Sequence, residues 1–277
     1  MLPPFLIISL LFTFGSFGTA VDLDIDIEGN VYVVDSEQNM LLKFSSGGDS
    51  LDGFGGYGRG AEGFDEPVAV YARRGMEVYV ADYNNHRIQR FDRRLDLIST
   101  LYTRNDVDEQ ARFGYPLDVV VSRQGEVLVL DGENRRVAVY DLAGRFLRSF
   151  GGPGDGEGRM TDPTAVELDN EDNVYVLDDG AIKLYDPFGG WVGHVSTPSD
   201  LPVLSFSIER DTMELLDSST LWFYDMVTRQ FIESSRREDA PVSGQMRRRD
   251  GRLYEVLPDR IRVSSVISEE DAEALQE

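Results

Sequence analysis

The chain has 277 residues, no cysteine, two histidines and a formal net charge of −23. That composition excludes a disulfide framework, a thiolate nucleophile, a cysteine-type zinc site and a three-histidine metal centre. It also argues against nucleic acid as a partner, because phosphates would be repelled over most of the surface. Hydrophobic residues make up 41% of the chain, enough for a globular core. Only Lys43 and Lys183 are lysine, and Asp outnumbers Glu. Carboxylates of this density suit concentrated salt, where their repulsion is screened; a GC-rich genome would also trade Lys for Arg.

Residues 4–14 form an uncharged apolar run too short for a comfortable bilayer crossing. Small residues follow, with Gly18 and Ala20 placed for cleavage before Val21. The usual positive flank is missing, since the first basic residue is Lys43. We expect residues 1–20 to be a signal peptide and the protein to be exported, to the periplasm or the medium. No other run is long enough to span a membrane.

The rest of the chain repeats. Val31 to Asp35, Val78 to Asp82, Val127 to Asp131 and Val174 to Asp178 are strong copies of one strand; Met213 to Asp217 and Leu253 to Leu257 are weaker ones. Each copy follows a turn, and before the turn lies an extended segment opened by Pro67, Pro116, Pro163, Pro202 or Pro241. A polar loop, a third strand and an outer strand ending near glycine come after. Four strands per repeat of roughly 44 residues predict an all-β, six-bladed β-propeller over 21–267. A short helical or disordered tail is expected over 268–277. With nothing left to donate after cleavage, the last blade is expected to have three strands, or a short fourth from Ser264 to Ile267. An unpaired edge there would invite a partner strand.

The segments Asp82 to Asp92 and Phe54 to Pro67 resemble the NHL-repeat signature. Asp131 to Val137, with Phe150 to Gly158 and Pro163, is a second copy, and Asp35 to Gly56 a third. The resemblance implies a six-bladed propeller of antiparallel blades, strongly over 21–190 and weakly over 200–266. For function it implies a wide range: peptide and RNA binders, kinase sensor domains and a copper-partnered amidating lyase. Such lyases hold zinc with several histidines, which His86 and His194 cannot supply. His86 fills a slot where the signature commonly has histidine, which implies a structural role.

The aspartate closing each second strand is placed to accept backbone N–H groups of a turn. Arg87 and Arg136 are expected to pair with such carboxylates across blades, and Gly53, Gly55, Gly56, Gly151 and Gly152 to let the chain swing between blades. Counting two and four residues from each opening proline places Ala69/Tyr71, Asp118/Val120, Ala165/Glu167, Leu204/Phe206 and Ser243/Gln245 toward the channel. Blade one, aligned by its Gly29 turn, adds Asp22/Asp24. Asp22, Asp24, Asp118 and Glu167 are therefore candidate ligands for Ca²⁺, a hard cation that takes oxygen donors; solvated acids lining a wet channel are the plainer alternative. No catalytic triad or acid pair assembles from these spacings, so no catalytic residue is assigned.

Between Arg229 and Arg262 nine arginines face six acids. Arg247, Arg248, Arg249 and Arg252, around the first hairpin of the last blade, are candidate partner-binding residues. The favoured function is a monomeric, non-enzymatic propeller that binds a protein, peptide or glycan on its loop-lined face. The alternative is a calcium-dependent hydrolase or lyase using the channel carboxylates.

Overall fold

The computed structural model describes residues 6–74, 76–197, 201–236 and 245–268. They form six four-stranded antiparallel sheets arranged as the blades of a propeller. Blade one consists of Ala20–Ile25, Val31–Asp35, Met40–Phe44 and Ser50–Gly55, and blade two of Pro67–Tyr71, Glu77–Asp82, Arg87–Asp92 and Leu97–Leu101. Pro116–Val121, Val127–Asp131, Arg136–Tyr140 and Phe146–Phe150 make blade three; Pro163–Leu168, Val174–Asp178, Ala181–Tyr185 and Trp191–Val195 make blade four. Blade five is Ser205–Glu209, Thr212–Leu216, Thr220–Asp225 and Gln230–Arg236. The second strands are Val- and Leu-rich because both their faces are covered by neighbouring blades, and their burial is nearly complete.

The repeated aspartate closing each second strand is the joint of the blades. Asp35, Asp82, Asp131, Asp178 and Asp217 are all buried. Asp35 accepts from the N–H groups of Gly18 and Thr19, Asp82 from Asp65, Asp131 from Gly114, and Asp178 from Thr161 and Asp162. Those donors lie in the segment arriving from the preceding blade, so in blades one to four a single carboxylate ties the linker to the blade it enters. In blade five Asp217 instead accepts within its own turn, from Ser219 and Thr220. Arg87 and Arg136 pair with Asp82 and Asp131 at 2.6 and 3.1 Å. These pairs lie within one blade, not across blades, because the antiparallel register sets each arginine opposite its aspartate. The freed guanidinium nitrogens reach the carbonyls of Gly63 and Arg112 on the incoming linker.

Gly55 shows why the swing between blades needs glycine. Its φ is 125°, and a Cβ there would sit 2.5 Å from the carbonyl oxygen of Asn39.

The ring closes differently from the sequence expectation. Blade six is Met246–Arg249, Arg252–Leu257 and Arg260–Ser268, and its outermost strand is Leu6–Phe14 from the other end of the chain. Leu6 to Phe14 pairs antiparallel with Ser268 to Ile261, with a bulge between Leu10 and Phe12. Phe14, Phe17 and Ala20 are buried in the cluster between blades six and one. The Phe17 and Ala20 N–H groups donate to the carbonyls of Asp259 and Pro258. Ser264 to Ile267, offered as a fourth strand, is the second half of the third strand. A chain cleaved before Val21 would lose the closing strand and these core aromatics. Residues 269–277 of the expected tail lie outside the described residues, and no helix among those described is long and apolar enough to cross a membrane.

Truncating a buried phenylalanine costs about 3–5 kcal/mol, which in a chain of this size lowers the melting temperature by about 10 °C. Phe14→Ala should show that loss, while Leu10→Ser, at an exposed position of the same strand, should shift it by less than about 2 °C. Equal and negligible shifts would mean that the ring closes without this strand, and the intact mass of the purified protein reports whether residues 1–20 are present.

Candidate functional site

Strand register fixes which side chains line the axis. Residues opposite Val34, Ala81, Leu130 and Leu177 are Asp22, Ala69, Asp118 and Ala165. In blade five the matching residue is Ser205, opposite Leu216; in blade six it is Gln245, which accepts the Val256 N–H. These six form a layer at the mouth on the loop-lined face, the face carrying the turns after each second strand and the links between blades. One step deeper come Asp24, Tyr71, Val120, Glu167, Ser207 and Arg247.

The expected pairs in blades one to four are therefore at the channel. In blade five Leu204/Phe206 is displaced by one residue: Ser205 and Ser207 take the axial positions, and Phe206 lies in the core. Blades one to four have a register shift just after the first residue of the inner strand. No shift occurs in the inner pairing of blade five, and a slip of one exchanges the faces. In blade six Gln245 is axial as expected, Ser243 lies outside the described residues, and Arg247 is an axial residue missed by proline counting. Aligning that blade by Leu253 to Leu257 finds it, since Arg247 sits opposite Tyr254 as Glu167 sits opposite Tyr175.

The four carboxylates do converge. Asp22 Oδ2 accepts the Val70 N–H at 2.9 Å, Asp24 Oδ2 that of Ala72 at 2.7 Å, and Asp118 Oδ2 that of Val166 at 2.8 Å. Each thus satisfies a backbone donor of the neighbouring inner strand. Two guanidiniums lie among them. Arg73 Nε meets Asp24 Oδ1 and Nη2 meets Glu167 Oε1, both at 2.8 Å, while Nη1 reaches across to the Ile208 carbonyl at 3.0 Å. Arg247 Nη1 is 3.2 Å from Glu167, and its other nitrogens stand 3.6 and 3.7 Å from Asp22 and Asp24. Among the described residues no group of three acidic or histidine side chains has the spacing of a metal site. A calcium ion would compete with both arginines.

Burial pushes the Asp22 carboxyl up to about 6. Burial, and then the charge of Asp22, raise Asp118 well above the usual carboxylate range. Near the opposite mouth Glu214, buried beside Ser207 and 3.1 Å from Arg248, is raised to about 7, again chiefly by burial.

The arginine patch is dispersed. Arg247 is buried in the channel. Arg248 pairs with Glu209 and Glu214, and its guanidinium lies 5.5 Å from the Phe223 ring centre. Arg249 stands 3.7 Å from Asp250, and Arg252 donates to the Ser46 carbonyl at 3.2 Å. The alternation of a strand sends the three consecutive arginines to different faces.

His86 Nδ1 accepts the Tyr115 N–H at 3.1 Å, which requires that nitrogen to be unprotonated, and burial lowers its pKa. His194 stacks edgewise on Trp191 in an outer strand. On the loop-lined face the His86 and Tyr83 rings lie 4.2 and 5.0 Å from that of Tyr115. Tyr115 has φ of 51°, an uncommon conformation for a bulky residue. Tyr57, 74% exposed, is on the blade-one-to-two link of the same face. Composition alone gave no sign of this cluster, because its members come from two separate loops.

Residues 64–91 and 113–140 match the NHL repeat family model, and they coincide with the first three strands of blades two and three and the links that enter them. The chain thus carries two NHL repeats within a six-bladed β-propeller. Over 127 residues, 45% of the chain, it is 30% identical to Protein brain tumor of Drosophila melanogaster, of which the match spans 12%. Solved structures share the fold. Virginiamycin B lyase from Staphylococcus aureus superposes over 95% of this chain and 100% of its own, with TM-score 0.62 and 12% identity. Its catalytically inactive form with quinupristin gives 0.64 at 12% identity, and a streptogramin B lyase 0.62 at 8% over 98% of its length.

Because Glu214 and Asp22 are raised in the folded chain, the fold retains protons that the unfolded chain releases between about pH 4 and 7. Stability should therefore fall as pH rises through that window, by on the order of 3 kcal/mol for Glu214 alone. Glu214→Gln should flatten the dependence of melting temperature on pH between 5 and 8 and raise its value at pH 8. An unchanged profile would assign the ionised form to the fold.

Proposed function

We propose that this propeller is an exported, non-catalytic binding module that takes a protein, peptide or glycan on its loop-lined face. The observation that carries the reading is the aromatic cluster of Tyr83, His86 and Tyr115, with Tyr57 on the same face. Aromatic rings with polar tips are the side chains most enriched at recognition surfaces. The two histidines support it from the other side: one is engaged with backbone at the rim, the other lies in an outer strand. Neither is placed for acid–base work at the channel. Export rests on the character of residues 4–14 and on Gly18 and Ala20.

The convergence of Asp22, Asp24, Asp118 and Glu167 favours a second reading, a calcium-dependent hydrolase or lyase. The likeness to lyases adds only the fold at 8–12% identity, and Arg73 and Arg247 neutralise two of the four acids.

Peptide and glycan arrays probed with the wild-type protein should retain a ligand class that Tyr83→Ser combined with Tyr115→Asn loses at least tenfold. Phe188→Ser, an exposed position in a turn on the opposite face, should leave it intact, and none of these changes should move the melting temperature by more than a few degrees. Retention unaffected by the tyrosine pair would remove the face from the argument. For the second reading, CaCl₂ at 100 times its Kd adds about 2.7 kcal/mol, a rise of about 5–10 °C over EDTA. Such a rise, absent with MgCl₂ and lost in Asp118→Asn, would promote the enzyme; none beyond the salt controls would dismiss it.

A further inference from the structure

The channel mouth on the loop-lined face is a cavity of about 260 Å³ lined by Asp22, Val68, Ala69, Leu117, Asp118, Thr164 and Gln245. It has an acidic floor and a largely apolar collar. Among the described residues the mouth layer contains two carboxylates and no cation. Counting the layer beneath, four carboxylates face two guanidiniums, a deficit of two positive charges in a buried setting when all four are ionised.

The arginines hydrogen-bond or closely pair with the deeper acids, whereas Asp22 has only a long ion pair with Arg247. Asp22 is 3% exposed, yet among the described residues its Oδ1 has no hydrogen-bond partner, and Arg247 Nη2 stands 3.6 Å away. Asp118 gives both its oxygens to backbone N–H groups, of Val119 and Val166. A buried anionic oxygen without a donor is costly. A metal ion is a poor answer, because calcium seeks six to eight oxygens and most of those here are already occupied. A single donor group with a few N–H bonds is a better match. The volume is below the roughly 300–1,000 Å³ of pockets for drug-sized ligands, so the occupant is about as large as one side chain.

We propose that the channel mouth takes a primary ammonium or guanidinium on a short apolar stem, as presented by a lysine or arginine side chain of a partner segment. The charged head lies between Asp22 Oδ1 and Asp118, and the stem runs between Val68 and Leu117 to the surface. Such a head supplies the donor that Asp22 lacks and reduces the charge deficit. The inference rests on the reading of the loop-lined face as the binding surface and names the chemistry bound at its centre. A net charge of −23 favours the approach of a basic partner.

The test is calorimetric titration of the full chain with three blocked amino acids, N-acetyl-lysine methylamide, its arginine counterpart and its norleucine counterpart, and with CaCl₂. The lysine or arginine compound should bind with a Kd in the millimolar range or below, and norleucine, of like shape without the charge, at least tenfold more weakly. Binding should weaken several-fold from pH 7.5 to 5.5, because Asp22 must give up its proton, and at least tenfold in Asp118→Asn. Equal binding of norleucine, or no binding of either cationic compound, would falsify the proposal, and neither comparison needs a variant to fold. Calcium binding that is lost in Asp118→Asn would overturn it in favour of a metal. If the cationic compounds fail while the array ligand is still retained through Tyr83 and Tyr115, only this inference falls; if both fail, the face is not the binding surface.

Discussion

A propeller must join six sheets whose linkers carry backbone donors into the interior, and at four of the joints here one carboxylate meets that demand. The aspartate at the end of the second strand is buried where it can accept N–H groups of the arriving linker, as Asp35, Asp82, Asp131 and Asp178 do. A buried carboxylate needs compensation, and the residue five positions on supplies it: Arg87, Arg136 and Lys183 in blades two to four. In blade five the indole N–H of Trp222 substitutes at 3.0 Å. Blade six has Leu257 at the aspartate position, and its carbonyls at Pro258 and Asp259 receive the N-terminal segment directly. The joint is thus strongest where the repeat is most regular.

The same physics acts with a different result on the axis. The inner strands leave donors along one edge, and Asp22, Asp24 and Asp118 accept from them across the blade boundary. Putting three carboxylates there, with Glu167 as a fourth, concentrates negative charge where water is scarce. Arg73 and Arg247 relieve it at the deeper level by bridging Asp24 and Glu167. The upper level is relieved by raised proton affinity at Asp22 and Asp118. The channel is therefore a closed ion-pair network below and an under-compensated mouth above.

Much of this was legible in the sequence. The spacing of Asp35, Asp82, Asp131 and Asp178, with a fixed strand before each, established blade number and strand order, and inner-strand counting found all four axial acids. The misplaced axial residues had one cause: the opening proline is a sound ruler only where the register shift after it recurs. It recurs in the first four blades and not in blade five, which misplaced Leu204 and Phe206. In blade six the count stopped short of Arg247, which then passed for part of an exposed patch. The pairing of Arg87 with Asp82 was legible as chemistry but not as location, because whether a contact runs within or between blades depends on register. The Tyr83, His86 and Tyr115 cluster was not legible at all, since it depends on loop conformations as uncommon as the positive φ of His86 and Tyr115.

The N-terminal run shows how one stretch of sequence can satisfy two physical descriptions. Leucine, isoleucine and phenylalanine without charge suit a leader that passes through an export channel, and they equally suit an outermost strand with one face against a core. Hydropathy does not separate the two. In the folded chain Phe14 lies with its ring centre 5.0 Å from that of Phe44, and Phe17 lies 5.8 Å from the same ring. Gly48, with φ of 89°, makes room at that point, because a Cβ there would come within 2.6 Å of Phe14. Blade one is thus shaped to receive Phe14 wherever the N-terminal run is retained. With the strand in place the third strand of blade six is paired along both edges, and the outer edge of the sheet passes to Leu6–Phe14, as it lies on the fourth strand in the other blades.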